Sequence, residues 1–167
     1  RGLLRAGRGI FILRGQPLII MNLFELTRRL IDIPSVSGEE EAVGRFLSDY
    51  LHNFGFDVER HEIAPQRANV IAVNGSHPPR IVFSTHMDTV PPAVPSREDA
   101  NFIYGRGACD AKGIIAAQIE AARRLIEEGI TDIGLLFTVD EEQASLRVRA
   151  PELGEGASEV ADVPDGE

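Results

Sequence analysis

The sequence of 167 residues contains one cysteine and one lysine. A single cysteine cannot form an internal disulfide, which excludes the disulfide-stabilised class of small secreted domains and favours a reducing compartment, the cytoplasm. The chain also lacks an apolar run of the roughly 18 residues that a membrane-spanning helix needs, so we expect no membrane partner. A net charge of -9 argues against a nucleic-acid partner, because the phosphate backbone attracts basic surfaces.

The remaining composition is that of an ordinary globular protein, with 43% hydrophobic and 26% charged residues. The chain divides into three parts. Residues 1–20 carry four arginines, no acid and no serine, and precede Met21. Because Arg14 interrupts their apolar stretch, they do not resemble a secretory signal, and we interpret them as a non-native or upstream extension. Residues 21–143 hold the periodic patterns, and residues 144–167 are predicted to be a disordered acidic tail.

Alternating helical and strand patterns fill the middle part. The Ser37-Gly-Glu-Glu40 stretch has the form of a capping box before a helix. A strand, a helix and a second strand follow each other over 80–85, 113–128 and 133–139, which predicts a βαβ unit with parallel strands. The predicted elements are helices over 23–31, 43–54 and 113–128 and strands over 56–63, 69–73, 80–84 and 133–139.

Acidic and histidine residues follow these elements at three places: His86-Met-Asp88, Asp110, and Asp140-Glu141-Glu142. In open α/β sheets the ligand-binding edge lies beyond the carboxyl ends of the strands, so we expect these residues to lie close together. Crowded carboxylates repel each other unless they are protonated or bound to cations. The sequence therefore predicts a site for divalent metal ions.

The residue types suggest individual roles in such a site. Asp88 lies two positions after His86 in an extended segment, so it can orient the imidazole. Asp110 has two oxygens and could bridge two metals that share a hydroxide. Glu142 could bind metal while Glu141 acts as general base. Histidine and carboxylate ligands suit zinc, with cobalt or manganese as alternatives.

Simpler interpretations exist for each motif. Asp110 could be only a helix N-cap, and the acidic run at 140–142 could be a solvated strand exit. A His-x-Asp sequence also occurs by chance. The coherent positions of the three clusters favour the metal site over these alternatives.

Three segments resemble the signature segments of one family of di-zinc amidohydrolases and exopeptidases: STHMDTVPP (84–92), YGRGACDAKGIIAA (104–117) and LLFTVDEEQ (135–143). The family includes acetylornithine deacetylase, succinyl-diaminopimelate desuccinylase, aminoacylase and glutamate carboxypeptidase, and IDIPSVSGEE (31–40) resembles its N-terminal segment. The resemblance implies an α/β, zinc-exopeptidase-like mixed sheet with helices on both faces.

The resemblance also implies residue roles: His86 on one of two zinc ions, Asp110 bridging both and Glu142 on the second. Asp88 would support His86, Glu141 would be the general base, and a cis peptide bond would follow Asp110. The implied function is hydrolysis of amide bonds in N-acyl amino acids or small peptides, which are small-molecule substrates.

The chain departs from the family pattern near residue 144. Family members are longer and carry a further acidic metal ligand, a late histidine ligand and an inserted domain that makes homodimers. The resemblance therefore covers the N-terminal portion of a truncated catalytic domain, over 21–143. A reading-frame change would explain the acidic tail. The alternative to an active enzyme is a catalytically inactive fragment that lacks the later ligands and the dimerisation domain.

Overall fold

The computed structural model describes residues 4–6, 10–13, 16–19, 21–75 and 78–142. The first three of these ranges are short strands, which form an antiparallel sheet in the order β1-β2-β3. Their bounds are β1 Leu4–Ala6, β2 Ile10–Leu13 and β3 Gln16–Ile19. The predicted tail over 144–167 lies outside the described residues, and the interpretation of residues 1–20 as an extension stays a prediction.

Three helices and six strands follow, and every element predicted from the apolar spacing is present within two residues of its expected bounds. Across the described ranges, none of the helices combines the length and apolarity needed to cross a membrane. The elements are α1 Leu23–Ile31, α2 Glu41–Asn53, β4 Asp57–Ala64, β5 Arg67–Asn74, β6 Ile81–His86, β7 Arg97–Glu98, β8 Ile103–Tyr104, α3 Lys112–Glu127 and β9 Ile133–Thr138.

The main sheet is mixed, as expected, with strand order β4-β5-β9-β6. β5 pairs antiparallel with both β4 and β9, whereas β6 and β9 are parallel and are joined through α3. The predicted βαβ unit is therefore confirmed. Since His86 lies opposite Thr138 in this parallel register, the residues that follow both strands emerge at the same edge of the sheet.

The hydrophobic core lies on one face of this sheet. Its strand residues alternate along β5 and β9 and pair across the ladder, as Val70 does with Phe137. All three helices contribute to the same core. A second layer of helices on the other face, implied by the resemblance, stays a prediction. The fully buried core side chains include Leu30, Leu47, Leu51, Val70, Ile115, Ile133 and Phe137.

The capping box predicted at Ser37 is wrong. α2 begins at Glu41, and its N-cap, Glu40, makes no side-chain capping bond. The Ser37 hydroxyl and the Glu40 carboxylate are instead used by distant partners. The capping box of this chain is at α1, where Asn22 accepts from the backbone of Glu25 and the Glu25 carboxylate accepts from the backbone of Asn22. The Asn-x-x-Glu spacing in the sequence is the signal that could have shown it.

The uncovered apolar edge also differs from the expectation. From the sequence we expect an uncovered apolar edge at 133–139. β9 instead lies between β5 and β6, and Ile133 and Phe137 are fully buried. The sheet has two edge strands, β4 and β6, and on β6 Ile81 and Val82 are 43% and 46% exposed.

We predict that Ile81→Lys reduces self-association of the chain, because a charged residue on an edge strand opposes pairing with another strand. Ile130→Lys is the matched control: Ile130 is 42% exposed but lies in the turn after α3. Sedimentation velocity at several concentrations measures the effect. Equal association of the two variants would contradict an edge-mediated contact.

Candidate metal centre

The three clusters singled out in the sequence meet at the edge where β6 and β9 end. His86 is the last residue of β6, Asp110 lies just before α3, and Glu142 follows β9 by four residues. One ligand atom from each of these three side chains lies within 4.8 Å of the other two. The His86 Nε2 atom is 3.0 Å from Asp110 Oδ1. One imidazole nitrogen and two carboxylates form a donor set that zinc accepts.

Asp110 is brought to this edge by a close approach between its loop and the start of α3. A Cβ atom on Gly113 would lie 2.1 Å from the carbonyl oxygen of Ala108, so only glycine fits there. The N-cap of α3 is Ala111, with no side-chain capping bond, so the interpretation of Asp110 as a mere N-cap is wrong. The Asp110–Ala111 peptide bond is cis, as the resemblance implies.

Asp88 is completely buried and holds the site together. Its backbone carbonyl lies 3.1 Å from His86 Nδ1, and its Oδ1 lies 3.3 Å from the same nitrogen. Its carboxylate also accepts hydrogen bonds from the Ser37 hydroxyl (2.7 Å) and from the backbone N–H groups of Glu141 and Glu142 (3.1 Å each). These contacts orient the imidazole so that Nε2 faces Asp110.

These contacts shift the pKa values of Asp88 and His86. Burial alone would raise the pKa of Asp88, but the hydrogen bonds from Ser37 and from the two backbone N–H groups hold it below its ordinary value. Burial alone would lower the pKa of His86, but the Asp110 hydrogen bond and the charges of Asp88 and Glu141 raise it above its ordinary value. The site is therefore strongly anionic around one imidazole.

Glu141 lies beside the ligand group, with its Oε2 atom 3.7 Å from His86 Nε2. Its side chain is 63% exposed, and that of Asp110 is 70% exposed. The structure thus brings all five predicted residues together, while their individual roles stay predictions. A purely solvated strand exit does not describe the acidic run, because the backbone of Glu141 and Glu142 is tied to Asp88 and the Asp140 carboxylate is paired with Arg67.

Sequence reasoning missed two contributors to this edge. The local pattern predicts that Ser37 caps a helix, whereas its hydroxyl donates to Asp88; Ser37 lies within the 31–40 segment that carries part of the resemblance. Arg67 had no local signal, because its partners lie 27 and 73 positions away. Cys109, which we expect from the sequence to be a small packing residue, is exposed.

A mixed α/β sheet with a histidine and two carboxylates gathered at its strand ends describes an α/β protein with a candidate site for a divalent metal ion. Comparison with known families agrees. Residues 82–166 match the model of peptidase family M20/M25/M40, and the chain belongs to this family. The matched range extends into the segment predicted to be a tail.

Individual relatives are similar over the same part of the chain. A "Probable carboxypeptidase" of Emericella nidulans is 43% identical over 136 residues, which are 75% of this chain and 32% of the relative. A LysW-lysine hydrolase of Deinococcus radiodurans is 41% identical over 108 residues, which are 64% of this chain and 29% of that relative. A tripeptidase structure from Staphylococcus aureus superposes with a TM-score of 0.62 at 27% identity, covering 73% of this chain and 37% of the tripeptidase. The chain spans about one third of the length of the curated relatives it matches.

The lysine next to the site gives a test of the electrostatics. Lys112 is 1% exposed, its Nζ donates to the Ile33 carbonyl at 2.6 Å, and burial lowers its pKa to about 8. Between pH 8 and 10.5 the unfolded chain binds this proton while the folded chain has released it. Stability therefore rises with pH across that window, by up to about 3 kcal/mol.

We predict that Lys112→Met abolishes this rise, and urea unfolding at pH 7.5, 9 and 10 measures it. Lys112 is the only lysine of the chain, and all other titratable groups are unchanged in the variant. If the free energy of unfolding changes with pH in the same way in both proteins, the lysine keeps its ordinary pKa in the folded chain and the prediction is wrong.

Proposed function

We propose that the protein is a metal-dependent hydrolase of amide bonds in N-acyl amino acids or small peptides. The observation that carries the proposal is the convergence of His86, Asp110 and Glu142 ligand atoms within 4.8 Å, in a chain of the M20/M25/M40 peptidase family. The names of its relatives, which include a carboxypeptidase, a tripeptidase and a lysine hydrolase, support an amide bond as the target.

His86, Asp110 and Glu142 would hold the metal, with zinc as the proposed ion and cobalt or manganese as alternatives. In the complete site we propose two ions with Asp110 shared between them. A divalent cation bound there would polarise the amide carbonyl and would lower the pKa of a bound water molecule. A second ion needs donors in addition to the three that the described part of the chain brings together.

The chain's own residues supply orientation and proton transfer. Asp88 holds the Nδ1 side of His86, which leaves Nε2 directed to the ligand group. We assign Glu141 as the general base, which takes a proton from the attacking water and later gives it to the leaving nitrogen. Its exposed carboxylate near His86 Nε2 supports this assignment. A general base must reach a water molecule beside the metal ligands and must not be a metal ligand itself.

A second candidate is that this chain by itself binds metal without turning over substrate. The observation that favours it is the openness of the site, since the side chains of Asp110 and Glu141 are both more than 60% exposed. Efficient electrostatic catalysis requires a site from which bulk water is excluded. In this case the remaining two thirds of a typical relative would have to close the site.

We predict that Glu141→Gln and Glu142→Gln have different consequences. Loss of a ligand in Glu142→Gln should weaken Zn²⁺ binding by at least tenfold. Loss of the base in Glu141→Gln should leave Zn²⁺ affinity within about threefold and lower hydrolysis by 10²–10⁴-fold. Calorimetric Zn²⁺ titration measures the first effect, and an amidase assay on N-acetylated amino acids and dipeptides measures the second.

Glu128→Gln is the control, since Glu128 is an exposed residue at the end of α3. Zn²⁺ binding without turnover by the unmodified chain would favour the second candidate. Turnover that persists in Glu141→Gln would remove Glu141 as the base, and Zn²⁺ affinity that is unchanged in both Glu142→Gln and His86→Ala would overturn the metal centre.

A further inference from the structure

The ladder between β5 and β9 stops just before the acidic run. Backbone pairing extends from Asn74–Ile133 to Val70–Phe137. Beyond that point, two side chains of β5 contact the departing chain. Asn69 Oδ1 accepts a hydrogen bond from the Val139 N–H at 3.0 Å, and Arg67 Nη2 donates to Asp140 Oδ1 at 2.9 Å. Side chains at positions 67 and 69 therefore take over where backbone pairing ends.

Arg67 is itself held rigidly. Its Nε and Nη2 atoms each donate to one oxygen of Glu40, both at 2.8 Å. The Glu40 side chain is 1% exposed, and its Oε1 also accepts from the Gly38 N–H at 2.8 Å. A bidentate pair with a carboxylate fixes the plane of the guanidinium, and this plane determines where the remaining N–H bonds point. Its third contact, to Asp140, is thus directed by the Glu40 pair.

Asp140 occupies a special backbone position. Its φ is +69°, in the left-handed region that aspartate enters more readily than most residues, although at some cost. This turn aims the next two backbone N–H groups, those of Glu141 and Glu142, at the two oxygens of Asp88. Whatever holds Asp140 in this conformation also determines where the acidic pair lies.

We propose that Arg67 is a positioning residue of the metal centre: anchored by buried Glu40, it holds Asp140 and thereby places Glu141 and Glu142 against Asp88. The short segment 37–40 then supports the site twice, since Ser37 binds Asp88 directly and Glu40 acts through Arg67. The inference rests on the proposed function, because it concerns the placement of a proposed base and a proposed ligand.

The first measurement is amide hydrogen exchange of Glu141 and Glu142 in the metal-free chain, followed by NMR and corrected for intrinsic rates. In Arg67→Met and in Asp140→Asn we expect at least a tenfold loss of protection at both amides. The Met87 amide, which donates to the Thr138 carbonyl at 2.8 Å, is the internal reference for general loosening of this edge and should be unchanged.

The double variant separates positioning through Asp140 from simple loss of stability. If Arg67 acts through Asp140, the double variant Arg67→Met/Asp140→Asn loses no more amide protection than the single variant with the larger loss. If the two residues act independently, the two fold-losses of protection multiply. Arg67→Lys keeps the charge but cannot hold both Glu40 oxygens and Asp140, so we expect only partial recovery. Arg45→Met, which removes a 70% exposed arginine paired with Glu41, should behave as wild type.

The second measurement is Co²⁺ binding, followed by visible absorption. Removing a residue that supports a ligand indirectly lowers metal affinity by 10–100-fold, which is the loss we expect for Arg67→Met and Asp140→Asn. If wild type binds no Co²⁺, the proposed function fails, and the exchange data alone decide the positioning role.

The inference is overturned if wild-type Glu141 and Glu142 amides show no protection, or if both single variants keep wild-type protection. A double variant in which the two fold-losses of amide protection multiply would also overturn the inference. If Arg67→Met does not fold, Asp140→Asn decides the question, because that variant retains the Arg67–Glu40 pair.

Discussion

The buried carboxylate of Asp88 is the interaction on which the geometry of the proposed metal centre depends. Because it has no exposed surface, its oxygens must find their partners within the protein. One oxygen accepts from Ser37 and the Glu142 backbone, and the other accepts from the Glu141 backbone and lies beside the His86 ring. Two oxygen atoms thus join three segments that are far apart in the sequence, and the imidazole is aimed by the same group that holds the acidic pair.

The mixed sheet makes this convergence possible. β6 and β9 are parallel and in direct contact, so the residues after His86 and after Thr138 leave the sheet side by side. β5 is antiparallel to β9, so its first residues, Arg67 and Asn69, lie at the same edge. An edge that collects the ends of two strands and the start of a third has donors and acceptors from all three, which is why this side of the fold can hold a charged site.

Local patterns predicted the elements well. Apolar spacing located α1, α2, α3 and the strands of the main sheet, because a helix or strand that packs on a core must repeat its buried positions with its own period. The same reasoning, together with the resemblance, predicted which five residues meet. It misassigned Ser37 and did not single out Arg67, since the partner of Ser37 lies 51 positions away and the two acidic partners of Arg67 lie 27 and 73 positions away. No periodicity records such contacts.

The sequence by itself therefore determined the helices, the strands of the main sheet, the parallel unit and the residue types of the proposed metal centre, because these follow from short-range periodicity, motif spacing and resemblance. Only the tertiary structure decided which side chains hold that centre in place. A local pattern allows Ser37 and Glu40 to serve a helix terminus, whereas the fold places them against Asp88 and Arg67. The reason is physical: a buried carboxylate must be paired, and the available partners are set by packing across the sheet rather than by neighbours in the chain.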